Sequence, residues 1–136
     1  MDLSFSTEQL QIQTLARELA QKELAPKAAE IDRTSAFPRD SLKKLAKLGL
    51  MGMGVPPDFG GGKSDTLSYL LAVEELAKAC ASTALIFTTH VDASSAIVAG
   101  GSEDTKKQYL PALAKGEKLG SFAATEPGSG SNVFNV

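Results

Sequence analysis

Cysteine and histidine are almost missing from this sequence, which has one of each and no tryptophan. A lone cysteine, Cys80, excludes an internal disulfide and favours a reducing, cytoplasmic compartment. One cysteine with one histidine cannot form a zinc site unaided, so no metal centre is expected. Cys80 is interpreted as a small core residue, because no motif places a base near it.

The sequence also lacks a basic block, a leader-like start and a long apolar run. The net charge of −2 makes nucleic acid an unexpected partner. The start "MDLSFSTEQL" has no apolar core of the kind found in secretory signals. The most apolar run, residues 84–99, is shorter than the roughly 20 residues of a membrane span and contains His90 and Asp92. No membrane partner is expected.

Apolar residues at helical spacing fill most of the chain. Ser6 and Gln9 fit a capping box, and Pro26 predicts a kink or restart near residue 25 of a first helix that reaches about residue 32. Pro38 suits the first turn of the second helix, which Gly49 would end. The remaining predicted helices are 66–81, 83–99 and a short one after Ser102, with Pro111 beginning a last turn that Gly116 closes.

These patterns predict an all-α fold, a five- to six-helix bundle with one short C-terminal β-strand and loop. Helix 83–99 carries one formal charge and is therefore expected to be central and buried. Residues 51–63 are too rich in glycine and proline for a helix. The predicted strand, residues 119–125, has nothing to pair with. The expected division is a helical domain at 1–118 and the start of a β-domain at 119–136.

Few side chains suggest chemistry by themselves. His90 lies on a mostly apolar helix, and a hydrogen-bonded core histidine is preferred to a catalytic base. Glu74 and Glu75 are adjacent and so diverge by about 100° on a helix. We interpret them as one acid at a buried edge and one in solvent. The stretch "TEPGSGS" at 125–131 fits either an anion-holding loop or a plain surface turn.

Longer stretches carry a family resemblance. "YLPALAKGEKLGSFAATEPGSGSN" resembles the acyl-CoA dehydrogenase family, from the end of its helical N-terminal domain into the first strand of its middle β-domain. "ELAPKAAEIDRTSAFPRDSLKKLAKLGLMGMGVPPDFGGGKSD" resembles its first two helices and glycine-rich connection, and "YLLAVEELAKACASTALIFTTH" resembles its third and fourth helices. The similarity runs along the whole chain in the expected order.

The resemblance implies an FAD site and an acyl-CoA site. Thr125 would hydrogen-bond near flavin N5, and glycine would let the backbone approach a pyrophosphate. The implied cofactor-binding residues are Phe122, Ala123, Ala124, Thr125, Gly130 and Ser131. The implied substrate-binding residues are Ser131, Leu85, Thr88 and Thr89.

The implied reaction is α,β-dehydrogenation of an acyl-CoA thioester with hydride transfer to FAD. The base of the family is a glutamate of its C-terminal helical domain, so no catalytic residue is named in this chain, and we expect the isolated chain to be inactive. Acyl-CoA, an electron-transfer flavoprotein and further copies, as a dimer or tetramer, are the implied partners of the intact enzyme. The alternative is a stand-alone helical module that associates with other chains without catalysis.

Overall fold

The computed structural model describes residues 4–132, and this part of the chain is all-α, as predicted. A π-helical turn, Ala20–Leu24, and two short 3₁₀ turns, Leu50–Gly52 and Pro57–Phe59, complete the regular structure. No helix in the described range is both long and apolar enough to cross a bilayer. The α-helices are α1 Thr7–Leu19, α2 Ala25–Thr34, α3 Arg39–Lys47, α4 Thr66–Ala79, α5 Ala81–Gly100 and α6 Glu103–Ala114.

The first predicted helix is confirmed together with its cap. The Gln9 backbone N–H donates to Ser6 Oγ at 3.2 Å, and the Ser6 N–H donates to Gln9 Oε1 at 2.8 Å. The π-helical turn joins α1 to α2, and the N–H of Ala25 bonds the carbonyl of Ala20 rather than that of residue 21. Pro26 follows at once and has no N–H to offer, so the helix changes type where the kink was predicted.

Two helix boundaries differ from prediction. Cys80, extended with φ −155°, ends α4, so α5 begins two residues earlier than expected. The separate turn predicted at Pro111 is wrong, because α6 continues through Pro111 to Ala114. Proline near a helix end removes one ladder hydrogen bond and keeps a helical φ, and here the last turn tolerates it. Gly116, with φ +67°, then reverses the chain as expected.

The core lies where α1, α3, α4 and α5 meet the turn at Leu50–Gly52. Its fully buried side chains include Leu24, Leu45, Met51, Leu76 and Phe87. A smaller cluster joins α6 to the glycine-rich connection, through Val55, Leu110, Leu113 and Ala114.

Helix α5 is not wholly buried, which corrects the prediction. Phe87 and Val91 face the core, whereas Leu85 is 67% exposed and Ala96 is exposed. An apolar helix can be buried on every side only if other elements surround it. In the described part of the chain no element covers the face of α5 that carries Leu85, Asp92 and Ala96, so this face is open.

The predicted strand at 119–125 is not formed, and these residues have no regular secondary structure. Among residues 4–132 the β-type pairing is a single antiparallel bridge between Glu126 and Ser129. A strand is defined by a ladder to a second strand, and the described residues supply none for 119–125. The last part of the predicted β-domain start, 133–136, lies outside the described residues.

Glu74 and Glu75 separate as predicted, and an ion pair explains how Glu75 tolerates burial. Glu75 is 5% exposed. Arg17 of α1 donates two hydrogen bonds to its carboxylate, from Nη2 to Oε1 at 2.9 Å and from Nε to Oε2 at 3.2 Å. Lys78 adds a third contact at 3.2 Å, whereas the Glu74 side chain is 56% exposed. These hydrogen bonds, foremost the one from Arg17, lower the pKa of Glu75. The pair therefore ties α1 to α4 through a buried carboxylate.

Replacing Arg17 by methionine should lower the melting temperature at pH 7 more than Lys22→Met does. The first variant leaves a buried carboxylate short of a partner, whereas Lys22 pairs with the exposed Glu18. Because the folded-state pKa of Glu75 lies below its unfolded value of about 4.3, the stabilisation is complete above that pH. It is lost as the pH falls through the folded-state pKa. Thermal unfolding of both variants in a pH series that descends from 7 checks this, and a gap that does not narrow as the pH falls contradicts it.

Candidate functional site

After α6 the chain turns back and crosses α5. At the crossing, the backbone of the chain forms a hydrogen bond with the side chain of His90. His90 is fully buried, its Nε2–H donates to the Met51 carbonyl at 3.1 Å, and its Nδ1 accepts the Gly120 backbone N–H at 3.1 Å. Burial lowers the pKa of His90, against a smaller upward effect of its backbone hydrogen bonds, so the ring is neutral at pH 7. The preferred interpretation, a hydrogen-bonded core histidine, is confirmed.

Gly120 makes the crossing closer than any other residue would allow. A Cβ atom built at Gly120 would lie 2.7 Å from the Cβ of Ala93 on α5 and 3.4 Å from the His90 carbonyl oxygen. The helix cannot retreat, because its opposite face is in the core. The backbone of the crossing segment therefore lies directly on α5.

An apolar groove lies on one side of the crossing segment. We call it the Phe37 groove; its volume is about 380 Å³. The loop before α3 supplies Phe37, which is 51% exposed, and α5 supplies Leu85 and Thr89. Residues 119–121 form the remaining wall. Exposed apolar side chains concentrated around one groove are typical of a surface that binds an apolar ligand.

A second groove lies on the other side of the same segment. This Phe122 groove, of about 450 Å³, runs between α5 and α6 and includes Ile97, Tyr109 and Phe122 among its walls. Residues 119–121 line both grooves. Residues 119–121 therefore divide two apolar surfaces.

The structure brings together half of the predicted substrate residues. Leu85 and Thr89 line the Phe37 groove, whereas Thr88 and Ser131 do not. The hydroxyls of Thr88 and Thr89 both donate to the Leu85 carbonyl, at 2.9 and 2.8 Å. Since the helix already uses both hydroxyls, this wall offers mainly hydrocarbon to a ligand.

The predicted cofactor residues all lie on one exposed stretch. Residues 121–128 are exposed, as are Gly130 and Ser131, and Phe122 is 55% exposed. The turn at Glu126–Ser129 folds the chain back through two backbone hydrogen bonds of 2.8 and 3.1 Å. A Cβ atom built at Gly130 would lie 3.8 Å from Thr125 Cγ2, so the turn places Thr125 beside Gly130.

This stretch is chemically suited to a flavin nucleotide. Within the described range no backbone–backbone hydrogen bond uses the amides and carbonyls of residues 121–125. They are free to pair with the polar edge of a ring system, and the Thr125 hydroxyl is next to them. Gly128 has no atom within 4 Å of a built Cβ, and Gly130 is without a side chain, so a phosphate could approach closely.

Sequence reasoning did not identify Phe37 as a groove residue, Gly120 as the crossing residue, or Ser129 as the residue whose hydrogen bonds close the turn at 126–129. Ser129 is 8% exposed, and its hydroxyl donates to the Asn132 carbonyl. The dipeptide "FP" before a helix gave no sign that Phe37 lines a groove together with Leu85, which is 48 residues later in the sequence. A glycine after leucine at 119–120 was a signal for a close approach, but it did not name the partner.

Comparison with known proteins shows the family to which the chain belongs. The family model described as "Acyl-CoA dehydrogenase, N-terminal domain" matches residues 6–117. The chain belongs to the acyl-CoA dehydrogenase family. An acryloyl-CoA reductase (NADH) of Anaerotignum propionicum is 46% identical over 136 residues, which is 100% of this chain and 34% of that relative. The chain thus spans about a third of the length of the curated relatives it matches.

Solved structures of acyl-CoA dehydrogenases share the fold. Butyryl-CoA dehydrogenase of Megasphaera elsdenii superposes with a TM-score of 0.91 at 34% identity, over 98% of this chain and 36% of that one. An acyl-CoA dehydrogenase of Bacillus anthracis, solved in complex with FAD, gives 0.90 at 37% identity, over 98% of this chain and 23% of that one. The family resemblance read from the sequence is confirmed.

Proposed function

We propose that this chain is the N-terminal part of a flavin-dependent acyl-CoA dehydrogenase and that it contributes one wall each to the acyl site and the flavin site. The whole enzyme would remove the α-proton and the β-hydride of an acyl-CoA thioester. The observation that carries the proposal is an apolar groove beside a segment that Gly120 anchors to His90 and whose next residues, 121–125, make no backbone–backbone hydrogen bond within the described range. The division at 118/119 belongs to the same proposal, and the family match ending at residue 117 supports it.

The Phe37 groove is the proposed acyl wall. Leu85 and Thr89 would contact the acyl chain, with Thr88 at the edge of the same face and Ser131 near the thioester end. Burying an apolar chain against such side chains contributes about 25 cal/mol for each Å² removed from water. Because the Thr89 hydroxyl on the helix wall is already bonded to the Leu85 carbonyl, this wall would favour hydrocarbon over polar acyl groups.

The exposed stretch after the crossing is the proposed flavin wall. The backbone of Phe122, Ala123 and Ala124 would meet the ring edge, the Thr125 hydroxyl would donate near N5, and Gly130 with Ser131 would lie against phosphate. When bound, FAD supplies the acceptor for the hydride. The chain's own part is to orient that acceptor beside the acyl groove.

We propose no catalytic residue in this chain. Glu75 is held by Arg17, Glu74 is solvated, and His90 is committed to two backbone groups. Glu75 and His90 are engaged in the fold, and Glu74 pairs with Lys78 at 2.9 Å on the surface, so we expect the isolated chain not to turn over butyryl-CoA. An electron-transfer flavoprotein as acceptor, a dimeric or tetrameric assembly and a cytoplasmic location complete the proposal for the intact enzyme.

A chimera tests the proposed function. Residues 1–132 would replace the matching third of the Megasphaera butyryl-CoA dehydrogenase, and flavin absorbance and butyryl-CoA oxidation would be measured with a dye acceptor. We expect a yellow, active protein. A folded but colourless chimera would contradict the flavin proposal and favour the helical interaction module instead.

Within that chimera, Thr125→Val should slow flavin reduction roughly five- to tenfold, because one hydrogen bond worth about 1 kcal/mol is lost. Thr14→Val is the matched control, since Thr14 is exposed on α1 and should leave the rate unchanged. Stopped-flow absorbance under anaerobic conditions measures the rate. Equal rates in the two variants would remove Thr125 from the flavin site.

A further inference from the structure

We infer that His90 is a positioning residue: its ring links the Met51 carbonyl to the Gly120 N–H and thereby sets where residues 119–122 cross α5. The ring is fully buried, with Nε2 3.1 Å from the Met51 carbonyl oxygen and Nδ1 3.1 Å from the Gly120 amide nitrogen, and the Leu113 backbone is a further neighbour. Since a carbonyl can only accept and an amide can only donate, the two partners define a single tautomer, with the proton on Nε2.

The far end of this link is rigid. Met51 is fully buried in the 3₁₀ turn Leu50–Gly52. The Gly52 carbonyl accepts the N–H groups of Val55 and Gly62, at 3.2 and 3.4 Å. These hydrogen bonds join the turn to the glycine-rich connection. Because His90 bonds both Met51 and Gly120, the position of the turn constrains that of the crossing segment.

The near end of the link is the part of the segment that matters for ligands. Residues 119–121 form a wall of both the Phe37 groove and the Phe122 groove. Any sideways movement of this shared wall widens one groove and narrows the other. His90 touches no proposed ligand, so it acts through Gly120, and its effect on acyl-chain selectivity rests on the proposed function.

Two substitutions separate the two halves of the link. Asparagine can place Oδ1 near the Nδ1 position and keep the acceptor for Gly120, while losing the donor to Met51. Glutamine reaches further and can keep a donor near the Nε2 position, while leaving Gly120 without its acceptor. Ser94→Ala is the matched control, because Ser94 is also fully buried on α5 and donates only to the His90 carbonyl, at 2.9 Å.

The test uses NMR on the isotope-labelled 136-residue chain. In the wild type the imidazole nitrogens should report the Nε2–H tautomer, and the Gly120 amide should be protected from hydrogen exchange. His90→Gln should raise the Gly120 exchange rate at least tenfold, whereas His90→Asn and Ser94→Ala should change it less than threefold. A wild-type ring protonated on Nδ1, or Gly120 exchange unaffected by His90→Gln, would overturn the inference. The tautomer measurement needs no variant and so remains decisive if one misfolds.

A second arm separates this inference from the proposed function. In the active chimera, His90→Gln should change the ratio of kcat/KM for butyryl-CoA to that for octanoyl-CoA at least threefold. His90→Asn keeps the acceptor for Gly120 but loses the bond to Met51, so it should change the ratio in the same direction by a smaller factor. An unchanged ratio together with the expected NMR result leaves the anchor standing and contradicts the acyl assignment of the Phe37 groove.

Discussion

Gly61→Ala is expected to destabilise the fold by about 3 kcal/mol or more, a large fraction of the about 5–15 kcal/mol that stabilises an ordinary domain. A Cβ atom at Gly61 would lie 1.7 Å from the carbonyl oxygen of Val55 and 2.4 Å from its carbonyl carbon. These are backbone atoms, and Val55 is itself 2% exposed in the cluster that joins the connection to α6. The backbone at Val55 cannot move away from Gly61 without disrupting that cluster.

The neighbouring glycine is the control for this prediction. A Cβ atom at Gly62 would have no atom within 4 Å, so Gly62→Ala should change the free energy of unfolding by no more than about 0.5 kcal/mol. Urea denaturation followed by far-UV circular dichroism measures both variants. Similar midpoints for the two alanine variants would show that the close approach of Gly61 to Val55 is not present in solution.

Phe87→Ala is expected to cost about 3–5 kcal/mol, the usual range for removing a buried aromatic ring. Phe87 is fully buried on α5 and packs with the Tyr69 ring of α4, with ring centroids 5.9 Å apart. The ring lies in the main cluster with Leu76 and Val91, so its loss opens a cavity where α4 meets α5.

Leu85→Ala, two residues earlier on the same helix, is the matched control. Leu85 is 67% exposed, and its truncation should alter stability by about 0.5 kcal/mol at most. Thermal unfolding of the two variants distinguishes the faces of α5. If Leu85→Ala were as destabilising as Phe87→Ala, the open face of α5 would be covered in solution, and the Phe37 groove would not be available to a ligand.

The contrast between Phe87 and Leu85 also shows what periodicity could not decide. Helix α5 carries one formal charge, Asp92, and this charge with a few hydroxyl residues marks the solvent side only weakly in an otherwise apolar pattern. The sequence predicted burial throughout, and the structure buries one face only. Exposed apolar surface of this kind is what the wall of a ligand-binding groove requires. The apolar pattern of α5 therefore did not predict which face is buried, but it does indicate a helix with a binding role.

Local chemistry explains what the sequence determined by itself. The cap at Ser6, the disturbance before Pro26, the reversal at Gly49 and the separation of Glu74 from Glu75 all depend on residues within about one helical turn. Each was predicted and each is present. The family resemblance was equally accessible, since it depends on the order of residues and not on their arrangement in space.

Contacts between distant residues are what only the tertiary structure decided. His90 meets Met51 from 39 residues away and Gly120 from 30, and Phe37 reaches the groove wall of α5 across a similar separation. The predicted strand at 119–125 failed for the same reason, because a ladder needs a partner that local propensity cannot supply. The apolar residues of a helix can pack against many different neighbours. The packing of the whole bundle therefore decides which face of α5 is buried and which remains exposed.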